Sequence, residues 1–191
     1  MLYPNENNYD AIILQAAGLN SVPVALMKAV FANETAFGIH AVGDNGNAHG
    51  IGQMWLSTAR GLGYAGPAGN PVGGTGLYDP RIAIPLTAKY LAQQLRRYNG
   101  NIAAALIAYN AGHSMIPAGG SPEAITNTGN REYVRKGVIH YNLYSGALSV
   151  ADAVHALRSG LWMRVAVLGA GALGIVLIAA LGLLLFAVWR R

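Results

Sequence analysis

The run Ile102-Ala103-Ala104-Ala105-Leu106-Ile107-Ala108 contains no polar side chain. A helix that is apolar on every face has no side to turn to water, so other elements must enclose it. This restricts the fold more than any other feature. The chain around the run has to supply helices or sheets that each lay an apolar surface against it. The run ends in Tyr109-Asn110-Ala111-Gly112, so polar side chains are delivered from the middle of a core.

The other segments read as wrapping helices. Tyr9 to Ala17 places Ile12, Ile13 and Ala16 on a helical face, with Gly18 as its stop. Ser21-Val22-Pro23 opens a second helix, with Ser21 as cap and Pro23 in the first turn, running to about Asn33. Gly38 to Gly50 breaks into Gly, Asn, Asp and His. Its Asp44-Asn45-Gly46 turn signal predicts at most a small hairpin. Ile51 to Arg60 ends in a short helix. Gly61 to Gly76, with seven glycines and two prolines, is a long loop. Its Gly73-Gly74-Thr75-Gly76 is no phosphate loop, since no strand precedes it and no Lys-Ser or Lys-Thr follows. Asp79 caps and Pro80 starts a helix to about Tyr98, and Glu132 to Tyr144 forms another, with Val134, Val138 and Tyr141 on one face. The fold class expected is mainly α.

Beyond this domain, Val165 to Trp189 runs 25 residues without a charge. As a helix it would extend roughly 37 Å, enough to cross the ~30 Å hydrocarbon core of a bilayer. Trp162 and Trp189 flank it as interface anchors, and Arg164, Arg190 and Arg191 fence it. This run explains why the chain is 53% apolar and only 11% charged. The expected division is a domain over 1–146, a linker over 147–160 and a transmembrane helix with a basic end over 161–191. The lipid bilayer is thus an expected partner, through residues 161–189. Orientation is open, because the arginines balance across the run. The first eight residues lack the basic start and apolar segment of a secretory signal.

The net charge is +5, yet the basic residues are scattered and interleave with no aromatic face, so nucleic acid is not expected as a partner. A mildly basic surface suits an anionic polymer such as a cell wall. There is no cysteine, which excludes disulfides and thiolate metal sites. The five histidines (His40, His49, His113, His140, His155) show no metal-ligand spacing. No metal and no cofactor are expected.

Glu34 is the acidic residue that stands out. It follows Leu26 and Val30 at i+4 spacing on an apolar stripe. A carboxyl group buried there would be desolvated and kept protonated near neutral pH, as a general acid requires. On position alone, a Glu at a helix end is more often solvated, and the rest of the chain has to decide. Among the eight acidic residues, Asp44 is the one other candidate for a second carboxylate, and its place in the Asp44-Asn45-Gly46 turn fits the role of stabilising that turn better.

Four blocks together resemble the catalytic domain of the lytic transglycosylases, to which goose-type lysozymes are similar. Ala29 to Phe37 resembles the family's Glu-Ser motif, with Thr35 in the serine's place. Gly46 to Met54 resembles its Gly-Leu-Met-Gln block; Gly50 and Gln53 match, whereas Ile51 and Gly52 replace Leu and Met. Leu77-Tyr78-Asp79-Pro80 through Ala108-Tyr109-Asn110-Ala111-Gly112 and Asn130 through Tyr144 complete the order. The match covers about residues 9 to 145 and implies a lysozyme-like α+β fold.

The resemblance implies a peptidoglycan substrate and a reaction with one carboxyl group. Glu34 would protonate the glycosidic oxygen after N-acetylmuramic acid, and the sugar's N-acetyl group would stabilise the cation. Glu34 would then take the proton of the C6 hydroxyl, closing a 1,6-anhydro ring. Thr35, Gly50, Gln53, Tyr109, Asn110 and Tyr133 would line or order the glycan site. Two other readings stand: a hydrolytic muramidase with Asp44 positioning water, and a non-catalytic wall-binding or membrane-structural protein. An anchor without a signal fits the cell envelope or a phage virion that opens the wall during genome delivery. A homo-oligomer or a larger virion or secretion assembly is left open.

Overall fold

The computed structural model describes residues 1–116 and 128–160. The described residues form seven α-helices and one small sheet: α1 (Asp10–Asn20), α2 (Val24–Thr35), β1 (Val42–Gly43), β2 (Ala48–His49), β3 (Met54–Trp55), α3 (Leu56–Gly61), α4 (Pro80–Arg97), α5 (Ile102–Ala111), α6 (Thr128–Tyr144) and α7 (Val150–Ser159). The apolar run is α5. It is packed between α4 and α6, with Ile102 and Ala104 to Ala108 all buried. Asn101 starts it, its side chain accepting the Ala104 amide at 3.0 Å, which satisfies one of the free amides of the first turn. Around it, α2 lies along α6 and α1 lies on α4. Leu26, Met27, Val30, Phe31, Phe37, Ile84, Leu91, Leu106 and Ile107 form the main core.

Local chemistry explains the boundaries and two departures from expectation. Asp79 does cap α4, accepting the Arg81 amide at 2.9 Å, with Pro80 at the first position. Ser21, however, does not cap α2. It ends α1 in the left-handed conformation (φ 54°), so α1 runs past Gly18, and α2 begins at Val24 with Pro23 ahead of it. Pro23 lies outside the helix because its ψ of 128° is extended. In place of a hairpin there is a three-stranded antiparallel sheet ordered β1-β2-β3. Val42 pairs with His49 and Ala48 with Trp55. The expected turn joins β1 to β2, and the return through Gly50 to Gln53 supplies a third strand.

Residues 147–160 hold α7, a packed helix. Ser149 caps it, accepting the Asp152 amide at 3.2 Å. Ala153 and Ala156 are buried with Ile139 of α6. The buried Arg135 of α6 donates to the Ala156 carbonyl at 2.9 Å and to Glu132 at 2.7 Å, so a charged fork satisfies the end of α7. The uncharged run Val165–Trp189 lies outside the described residues. Among the described residues, no helix is long and apolar enough to cross a membrane.

Candidate active site

Glu34 stands in the last turn of α2. The helix ends just beyond it with two consecutive left-handed residues, Ala36 (φ 51°) and Phe37 (φ 66°). The Ala36 and Phe37 amides return to the Ala32 and Phe31 carbonyls at 3.3 and 3.2 Å. Such a conformation is costly for residues with a Cβ. It is held here because the Phe37 ring is fully buried against Tyr3, Phe31 and Tyr144. The chain thus turns sharply at the site, and the segment that follows returns to the end of α2, where the Ile51 carbonyl accepts from Thr35.

The carboxyl environment is set by three elements. From α6, the Tyr133 hydroxyl donates to Glu34 Oε1 at 2.6 Å. From α5, Tyr109 lies close enough for the Glu34 charge to act on its hydroxyl. From the turn between β1 and β2, the Asp44 charge reaches Glu34. Burial pushes the Glu34 pKa up to about 7, with Asp44 adding to the rise and the Tyr133 hydrogen bond opposing it. Burial and the Glu34 charge raise the Tyr109 and Tyr133 pKa values, so both phenols stay protonated as donors at neutral pH.

The Gly50–Gln53 segment is bound to the helices around it. Thr35 Oγ1 donates to the Ile51 carbonyl at 2.9 Å, and Tyr109 donates to the Gly52 carbonyl at 2.7 Å. Thr87 of α4 lies 3.4 Å from the same Tyr109 oxygen. Glycine is needed at Gly50 and Gly52. Gly50 has φ 67°, and a Cβ there would lie 2.1 Å from the Leu77 carbonyl oxygen. A Cβ at Gly52 would lie 2.7 Å from Thr87 Oγ1 and 2.8 Å from the Tyr109 oxygen. The side chain missing at Gly52 is what lets the Tyr109 phenol sit against this segment.

Of the residues singled out in sequence, Glu34, Tyr109 and Tyr133 come together as one polar cluster. Thr35 and Gln53 turn to main chain: the Gln53 amide nitrogen donates to the Ala41 and Gly50 carbonyls at 3.1 and 2.9 Å, leaving its oxygen unbound by these contacts. Asn110 is exposed and bridges to Asn130 at 3.0 Å. Asp44 is also exposed, and its Oδ2 accepts the Trp55 indole N–H at 3.0 Å. Trp55 itself is 46% exposed. The sequence reading passed over it; a tryptophan directly after a Gln53-Met54 pair in a sheet was its one visible signal.

The model of the transglycosylase SLT domain matches residues 11–127. The chain belongs to this family. Solved structures agree in fold. An inactive mutant of the lytic transglycosylase Slt from Pseudomonas aeruginosa is 25% identical, with a TM-score of 0.59 over 76% of this chain. The 70-kDa soluble lytic transglycosylase from Escherichia coli is 22% identical, with a TM-score of 0.60 over 72%. A complex of the 70-kDa soluble lytic transglycosylase with bulgecin A is 21% identical, with a TM-score of 0.63 over 75%. The chain spans only about a quarter of the length of each (24%, 24% and 25%). The SLT domain match includes α2, the sheet, α4 and α5, and so contains Glu34 and Tyr109.

Proposed function

We propose that this SLT domain is a peptidoglycan lytic transglycosylase that cleaves the β-1,4 bond after N-acetylmuramic acid and forms a 1,6-anhydro end. The observation that carries the proposal is Glu34: a half-buried carboxyl group, with its pKa raised to about 7 and fixed by a phenol at 2.6 Å. A group with that pKa is protonated often enough to donate and ionised often enough to accept near neutrality. Glu34 gives its proton to the leaving oxygen. The substrate's N-acetyl group supports the cation at C1. The Glu34 carboxylate next takes the proton from the C6 hydroxyl, whose oxygen closes on C1. No water enters the product.

The hydrolytic reading would use Asp44, which is exposed and accepts the Trp55 indole N–H on Oδ2 while its Oδ1 stays free to accept from a water. The products, not this contact, separate the two readings. The Trp55 face beside it offers a surface on which a sugar ring can stack. The uncharged run Val165–Trp189 we read as a membrane anchor, which places the domain at a bacterial envelope or in a virion membrane, facing the wall. The test is product analysis by mass spectrometry on purified peptidoglycan. Anhydro ends support the proposal, reducing ends support the muramidase, and intact glycan supports a wall-binding protein.

A further inference from the structure

Behind Glu34 and its Tyr133 partner, a line of hydrogen bonds leads away from the site. The Tyr3 hydroxyl lies 2.9 Å from His140 Nε2. His140 Nδ1 lies 2.7 Å from Asn33 Oδ1. Asn33 Nδ2 donates to the Tyr133 carbonyl at 2.9 Å, and the Tyr133 hydroxyl donates to Glu34. Donor and acceptor roles are fixed along the whole line. The Tyr133 carbonyl only accepts, so the Asn33 nitrogen faces it and the Asn33 oxygen faces the imidazole. That oxygen only accepts, so His140 carries its hydrogen on Nδ1. Nε2 of the neutral ring is then the acceptor for Tyr3.

The packing preserves this line. Gly137 stands one turn beyond Tyr133 on α6. A Cβ there would lie 3.0 Å from Asn33 Nδ2 and 2.9 Å from Leu106 Cδ1, so the glycine leaves the amide its path to the helix backbone. His140 is buried. Its ring is faced by Lys136 from its own helix, by Glu6 and Tyr3 from the N-terminal segment, and by Tyr144. Burial, helped by Lys136 and opposed by Glu6, pushes its pKa down to about 4. It therefore holds the neutral form that the line requires. Glu34 in turn is faced by Asp44 from the β1–β2 turn, Tyr109 from α5 and Tyr133 from α6.

We propose that Asn33 and His140 are positioning residues that hold Tyr133 through its main chain so that its hydroxyl meets Glu34, which couples the N-terminal segment to the acid. The functional side of this inference rests on Glu34 being the proton donor. The coupling itself does not. It is read directly from the titration of the Glu34 carboxyl carbon by 13C NMR on the full chain, alongside the pH dependence of turnover.

Tyr133→Phe removes a bond that favours the carboxylate, so Glu34 titrates at higher pH. Asn33→Ala and His140→Phe shift it in the same direction by less, and add nothing in the Tyr133→Phe background. His140→Asn, whose amide puts an N–H near the place of Nδ1, restores much of the wild-type titration. Turnover falls about tenfold to a hundredfold in Asn33→Ala, the size expected of a displaced acid. Should Asn33→Ala fail to fold, Gly137→Ala, which crowds the same amide, is expected to show the upward shift. An unmoved Glu34 titration in the folded variants overturns the proposal even if stability drops, since a merely structural role does that. Glu34→Gln retaining turnover would instead remove the acid and leave the measured coupling standing.

Discussion

Residues at the site answer to electrostatics first. With the Glu34 pKa at about 7, a rate that requires the protonated acid declines as pH rises through about 7. Asp44→Asn removes a negative charge that raises this pKa, so the alkaline limb of kcat/KM should move to lower pH while turnover falls far less than in Glu34→Gln. An unmoved limb would mean that the titrating group is not Glu34. Tyr109→Phe loses only an oxygen, and with it the bond that holds the Gly52 carbonyl. It should fold normally, by circular dichroism, and turn over markedly more slowly. Gly52→Ala attacks the same arrangement from the other side: its Cβ would press on the Tyr109 oxygen and Thr87. Overpacking of this kind costs ~1–3 kcal/mol. Activity should fall further than the loss of folded protein explains.

At the scale of elements, α7 is the part whose weight the sequence hid. A chain ended at Gly160 retains it, and one ended at Gly146 does not. The shorter chain exposes the fully buried Ile139, a loss of about 2 kcal/mol by area. It also strips Arg135 of its Ala156 partner. The melting temperature of the shorter chain should be clearly lower, and equal values would make α7 an ornament.

The sequence showed α5 plainly because an unbroken apolar run admits one kind of environment. It showed Asp79-Pro80 because a cap and a proline leave few options. It missed α7 because a short, half-polar segment gains its stability from Ile139 and Arg135 in another helix, and no local pattern records that. The same holds within the site. Glu34 drew notice through its stripe and its motif together, since the stripe alone fits a solvated helix end equally well, whereas the partner of its carboxyl group, Tyr133, is fixed only by the packing of α6 on α2. Thr35 and Gln53 could be placed at the site by their motif, but their bonds to the Ile51, Ala41 and Gly50 carbonyls could not.

Among the described residues, Glu34 and His140 are shifted far from their ordinary values and have opposed pH dependence. Glu34 has a raised pKa in the fold, so its neutral form is favoured and stability falls as pH rises from the ordinary glutamate value to about 7. His140 has a pKa lowered to about 4, so its neutral form is favoured and stability is lost as pH falls from the ordinary histidine value toward 4. Between roughly pH 4.5 and 6.5 the two slopes oppose each other. A shift of the Glu34 size corresponds to on the order of 3 kcal/mol. Glu34→Gln should therefore gain stability over the wild type above pH 7. In urea unfolding it should also show a rising slope through the window where the wild type is nearly flat. Parallel curves for the two proteins would mean that Glu34 is solvated in the fold.

The central claim is that one carboxyl group, Glu34, performs acid and then base work without water. Mass spectrometry of the fragments released from purified peptidoglycan tests it most directly, with the full chain and its Glu34→Gln variant side by side. The wild type is expected to release fragments one water lighter than the hydrolysis products, ending in a 1,6-anhydro ring. From Glu34→Gln a loss is expected at or beyond the upper end of the ~10²–10⁴-fold range of general acid–base catalysis. Reducing ends from the wild type, or near wild-type release by Glu34→Gln, would contradict the claim.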